Sequence, residues 1–150
     1  MAHTFSRLLY HIVFSTRNRR PDLRSDLRRE LLSYLHGVLA NQGAHLFKGG
    51  AVEDHVHLLV VARPTHAPAE LARTVKANTS RWLRESRPEL SEFAWQSGYS
   101  VFSVSESNTQ PVLAYIESQE EHHRRMPFAT ELRAMLERNG IAFDPQRFLD

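Results

Sequence analysis

The run His-Val-His-Leu-Leu-Val-Val-Ala at residues 55–62 is the most strand-like stretch of the chain and constrains its fold more than any other segment. Side chains two apart on a strand point to the same face. Val56, Leu58 and Val60 therefore turn toward a core beneath helices, while His55 and His57 converge on the opposite face, expected to be open. Residues 44–52 form a second strand, separated from 55–62 only by the polar break Glu53-Asp54, as in a hairpin. Residues 8–16, LLYHIVFST, and 99–105, YSVFSVS, are rich in β-branched and aromatic side chains and supply two more strands.

Between the strands the apolar period lengthens to that of a helix. Leu27, Leu31, Leu35, Val38 and Leu39 recur at helical spacing from Leu23 to about Asn41, and Gly43 ends the run. Leu71, Val75, Thr79 and Trp82 mark a second helix that stops at Arg87-Pro88 and exposes Arg73, Lys76, Arg81 and Arg84. Asn108 or Thr109 caps a third helix, with Pro111 tolerated in its first turn. A last helix runs from Thr130 to Arg138, closed by Asn139-Gly140. Strand, helix, strand, strand, helix, strand, helix is the α+β, ferredoxin-like split βαβ order. It predicts a four-stranded, mainly antiparallel sheet with helices on one face, extra C-terminal helices, and the other face free for a ligand. With 150 residues the chain is expected to form a single domain over 1–150.

Composition narrows the chemistry. The chain has no cysteine, which excludes disulfides, thiolate metal sites and cysteine nucleophiles and leaves His, Tyr, Ser or carboxylates. No apolar run approaches the roughly 18–20 residues that cross a bilayer, and the N-terminal stretch has no small-residue cleavage site. A cytoplasmic protein without membrane partners is expected. Net charge is only +2, but of 19 basic residues all except Lys48 and Lys76 are arginine, and Arg17, Arg19, Arg20, Arg24, Arg28 and Arg29 crowd one stretch. The planar guanidinium suits bidentate phosphate contacts. A solvated basic loop and helix face would look the same.

Two imidazoles at His55 and His57 offer adjacent positions to a divalent ion, although a His-x-His on a strand also arises from packing alone. On the third helix Tyr115, Gln119 and His122, spaced by four and then three, share one face, as any exposed polar stripe would. No GxxxxGK[ST] loop is present, so no nucleotide cofactor is expected.

Taken in order, YHIVFSTRNRR at 10–20, DHVHLLV at 54–60, WQSGYSVFSVS at 95–105 and YIESQ at 115–119 resemble the single-tyrosine HUH transposases, including those associated with repetitive extragenic palindromes. These enzymes mobilise insertion sequences as single-stranded DNA. The resemblance implies that His55 and His57 bind Mg2+ or Mn2+, that Gln119 completes the metal site, and that Tyr115 is the nucleophile. It also implies a homodimer acting on DNA hairpin ends through a 5′-phosphotyrosine intermediate.

A phenol with an ordinary pKa near 10 attacks poorly at neutral pH, so a base, a metal or both must assist it. Single strands bend into a shallow site more readily than duplex, with arginines following the backbone. Arg17, Arg19 and Arg20 after the first strand, and Lys76, Ser80 and Arg81 on the second helix, are the DNA-binding candidates. Trp82 and Trp95 are expected in the core. Three alternatives stay open on the residues: a non-catalytic single-strand binder, a domesticated hairpin-binding regulator, and a phosphodiesterase using water with Glu53 or Asp54 as ligand or base.

Overall fold

The structure, a computed structural model, describes residues 2–150. Along them run β1 (Leu8–Ser15), α1 (Ser25–Asn41), β2 (His45–Ala51), β3 (His55–Ala62), α2 (Pro68–Ser86), β4 (Ser100–Val104), α3 (Thr109–Glu117), α4 (Gln119–Arg125) and α5 (Phe128–Arg138). The strands form one antiparallel sheet in the order β2-β3-β1-β4. This is the expected ferredoxin-like arrangement. Tight stops follow the helices where glycine takes a left-handed conformation, Gly43 after α1 at φ 80° and Gly140 after α5 at φ 66°.

Register places β1 and β3 side by side at the centre, with Ser15 opposite His55, Val13 opposite His57 and His11 opposite Leu59. Directly opposed residues share a face, so Leu9, His11 and Val13 lie with His55, His57 and Leu59. The reverse face carries Ile12, Phe14, Val56, Leu58 and Val60, buried against the leucine stripe Leu27, Leu31, Leu35 and Leu39 of α1 and against Leu71, Val75 and Leu83 of α2. Trp95 is buried here, edge-on to Phe14 and Phe93, and Trp82 stacks at 4.6 Å on Tyr34.

The histidine face is not open. Ile116 of α3 packs on Leu9, Leu59 and Val104, and Phe128, Leu132, Met135 and Leu136 of α5 pack on Val13 and Phe102. Both faces of the sheet are therefore covered, and β1 and β3 are buried at nearly every position. Apolar side chains at 128, 132, 135 and 136 recur at helical spacing, so once α5 forms it has a stripe that must leave water. Among the described residues, no helix is long and apolar enough to cross a membrane.

Candidate active site

Under the α3–α5 roof, His55 and His57 project from β3 and are almost wholly buried, 1% and 0% exposed. A second polar group fixes each ring from behind. Asp54 Oδ1 lies 2.7 Å from His55 Nδ1, and His57 Nδ1 and His11 Nε2 are 2.8 Å apart, one donating its N–H to the other. His11 reaches His57 diagonally across the β1–β3 pair, two residues from the directly opposed Val13. Both Nε2 atoms then face the same carboxylate: Glu131 Oε1 of α5 stands 3.2 Å from His55 Nε2 and 3.0 Å from His57 Nε2.

Two further side chains close the site. The third helix breaks at Ser118, so Tyr115 ends up on α3 and Gln119 at the start of α4 rather than on one continuous helix. Both still face inward: Gln119 Oε1 is 3.2 Å from His55 Nε2, and the Tyr115 hydroxyl donates a 2.6 Å hydrogen bond to Glu131 Oε2. The Tyr115 ring lies 5.6 Å from that of His57 and 4.9 Å from that of His122.

The electrostatics follow from crowding around one buried carboxylate. Burial disfavours charge on His55, but the hydrogen bonds and charges of Asp54 and Glu131 outweigh it and raise its pKa to about 9. Burial dominates at His57, whose pKa is lowered despite Glu131, and at His11, lowered to about 3 by burial and by His57. Burial would raise the pKa of Glu131, yet hydrogen bonds from His55 and His57 hold it well below the usual carboxylate range. Burial first, then the Glu131 bond and charge, push Tyr115 above its ordinary value, so it is held as the neutral phenol.

The donor set fits a divalent ion. His55, His57 and Glu131 present ligand atoms within 4.8 Å of one another. Around a six-coordinate ion with bonds of roughly 2.1 Å, neighbouring ligands stand roughly 3.0 Å apart. The separations of Glu131 Oε1 from the two imidazole Nε2 atoms, 3.2 and 3.0 Å, and of Gln119 Oε1 from His55 Nε2, 3.2 Å, match that edge. Two imidazoles with two oxygens suit Mn2+ at least as well as Mg2+. Asp54, His55 and His123 form a second such group, in which His123 Nε2 lies 3.7 Å from Asp54 Oδ1 and, outside the group, 3.0 Å from Glu53 Oε1.

Of the arginines marked by the sequence, Arg17, Arg19 and Arg20 flank a turn in which Asn18 and Arg19 both take left-handed φ near 55°. Arg19 also donates to the Leu149 carbonyl. Lys76 is half-buried and donates to the carbonyls of Ser97 and Gly98, Ser80 to that of Ala77, and Arg81 to Asn78. None of these six side chains lines the histidine site. A cleft of about 320 Å3 does open beside Tyr115, lined by His11, Phe102, Tyr115, Met135, Arg138 and Asn139 among others.

Sequence reasoning did not single out His11 or Glu131. Each had a faint signal: His11 interrupts the apolar alternation of Leu9 and Val13, and Glu131 interrupts the stripe Phe128, Leu132, Met135.

A ferredoxin-like sheet with a His-x-His pair facing a helix-borne tyrosine is the framework of the HUH proteins. The chain belongs to the family described as "Transposase IS200 like", whose model matches residues 4–119. It is similar to the ISDra2 transposase TnpA of Deinococcus radiodurans, 28% identical over 118 residues, covering 75% of this chain and 84% of the relative. It is equally similar, 28% over 130 residues, to the transposase for insertion sequence element IS200 of Salmonella typhimurium, covering 83% and 84% respectively. A crystallised Deinococcus radiodurans R1 protein assigned as a transposase superposes with a TM-score of 0.64 at 25% identity, over 79% of this chain and 95% of that one. A REP-associated tyrosine transposase bound to a REP hairpin shares the fold, with a TM-score of 0.62 at 13% identity, over 82% and 73%. Transposition is thus the general activity of this family of enzymes.

Proposed function

We propose that this chain is a metal-dependent endonuclease and strand transferase that cuts single-stranded DNA at hairpin ends with Tyr115. The observation that carries this is convergence on one point: the Tyr115 hydroxyl and the Nε2 atoms of His55 and His57 all meet the carboxylate of Glu131. A nucleophile and a pair of metal ligands thereby share one pocket. His55, His57 and Gln119 would hold Mg2+ or Mn2+, which when bound polarises the scissile phosphate and stabilises its developing charge.

In the first step the Tyr115 oxygen forms a bond to phosphorus as the bond from phosphorus to the 3′-oxygen breaks. Net, the phenol proton ends on the departing oxygen, which leaves as a 3′-hydroxyl. The product is a 5′-phosphotyrosine that keeps the phosphodiester energy, so a 3′-hydroxyl attacking it reseals a strand without a nucleotide. His11 and Asp54 orient the two imidazoles, the role that hydrogen-bond partners behind ligands commonly take.

The cleft of about 320 Å3 beside Tyr115 is the proposed seat of the scissile phosphate, and Arg138 lies on its wall. Arg17, Arg19 and Arg20, splayed by two left-handed residues in succession, form the proposed outer DNA contact. Ser80 and Arg81 are further candidates, and Lys76 is one only by releasing its two carbonyls. A relative bound to a REP hairpin supports a hairpin substrate. A homodimer would add a second tyrosine for the return step.

The test is incubation with hairpin-bearing single-stranded DNA and Mn2+ or Mg2+. A denaturation-resistant protein–DNA band that requires the metal is expected. Cleavage without such a band would favour a water nucleophile, with Asp54 of the Asp54–His55–His123 group, or Glu53 beside His123, as ligand or base. Binding without any cleavage would favour a non-catalytic binding module.

A further inference from the structure

We infer that Glu131 joins the metal site to the nucleophile, one carboxylate oxygen completing the ligand set and the other positioning Tyr115. This rests on the function proposed above and adds to it a residue beyond the segment matched by the family model, which ends at 119.

A carboxylate that is 4% exposed, on a helix face shared with Phe128, Leu132 and Met135, has given up its water. Such groups persist where partners replace hydration. The partners here are all functional candidates: Oε1 meets His55 and His57, and Oε2 accepts from Tyr115 at 2.6 Å. No lysine or arginine salt bridge to Glu131 occurs among the described residues; the groups that replace its hydration are His55, His57 and Tyr115. The four buried apolar residues of α5 fix where the carboxylate sits, so its geometry is set by the core.

The Nε2 atoms of the two histidines point away from their backing partners Asp54 and His11, and both come to Oε1 of Glu131. Gln119 alone would give the ion a single neutral oxygen; Glu131 contributes the negative charge that a hard divalent cation favours. The same side chain fixes the tyrosine rotamer, so loss of its charge weakens cation binding and loss of its length frees Tyr115.

The probe is Mn2+ alone, titrated calorimetrically into the full chain without DNA. Wild type is expected to bind one ion at this site, His57→Ala to lose it, and Tyr115→Phe to retain wild-type affinity. Glu131→Gln is expected to bind about 10- to 100-fold more weakly, the scale seen when groups supporting a metal are changed. A merely structural carboxylate would lower the urea midpoint of Glu131→Gln and leave Mn2+ affinity untouched, which overturns the inference. Glu131→Asp, shorter but still anionic, is expected to recover part of the affinity while forming the DNA adduct more slowly at saturating Mn2+. An adduct rate equal to wild type would overturn the positioning role. If His57→Ala loses the ion and Glu131→Gln does not, only Glu131 is misassigned; if wild type binds no Mn2+, the metal site of the proposed function falls with it.

Discussion

A side chain at Gly50 of β2 would meet the backbone of Ile116 in α3: a Cβ built there stands 2.8 Å from the Ile116 carbonyl oxygen. Absence of that carbon lets α3 lie close on the sheet, one residue from the tyrosine it carries. Gly50→Ala is expected to cost about 1–3 kcal/mol in urea unfolding, as overpacking typically does. It should also depress adduct formation by displacing Tyr115. Gly37 within α1 meets nothing within 4 Å, so Gly37→Ala should stabilise by up to about 1 kcal/mol and leave cleavage unchanged.

Phe128 covers the site from above, its ring 4.4 Å from that of His55 and 2% exposed. Phe128→Ala removes this cover and the first anchor of α5. A loss of about 3–5 kcal/mol is expected by chemical denaturation. Because Glu131 is one turn further along, Mn2+ affinity should fall in the same variant even under conditions where it remains folded.

Arg138 lies on the cleft beside Tyr115, and its charge favours the phenolate. Arg138→Ala is expected to slow adduct formation roughly tenfold, the scale of one charge-assisted hydrogen bond to phosphate. The far-UV spectrum and unfolding midpoint should hardly move. Rates measured from low to moderate salt should fall less steeply than for wild type, because one phosphate contact is gone.

Stability without metal should peak near pH 6.5. His11 titrates near 3 when folded and from 6.5 when unfolded, and His57 is lowered as well, so between those values the unfolded chain binds more protons. Stability therefore falls as pH drops below 6.5, by up to about 1.4 kcal/mol per pH unit from His11, with His57 acting in the same direction. His55 works in the other direction: its folded pKa is raised to about 9, so its stabilisation is complete below 6.5 and lost as pH climbs toward 9. Urea unfolding in chelating buffer from pH 4 to 9 checks both limbs, and His11→Gln should flatten the acid one.

Local pattern carried much of this site. Period-two alternation put His55 and His57 on one face, and a spacing of four aligned Tyr115 with Gln119, an alignment that survives the break at Ser118. The covering of that face was not legible, because it depends on α5 folding back so that Phe128 and Leu132 reach Val13 and Phe102. Glu131 was hidden for the same reason: on a helix crowded with charges, a buried carboxylate differs from its exposed neighbours only in what the tertiary fold sets opposite it. His11 required the strand register, which no single strand reveals.

In the proposed reaction Tyr115 becomes covalently attached to DNA. Reacting the protein with hairpin-bearing single-stranded DNA and Mn2+, digesting both polymers and mapping the nucleotide-modified peptide by mass spectrometry tests it most directly. The expected modification is a 5′-phosphonucleotide on Tyr115, absent in Tyr115→Phe and in samples without metal. Modification of Tyr10, Tyr34 or Tyr99 instead, or an adduct that persists in Tyr115→Phe, would contradict it.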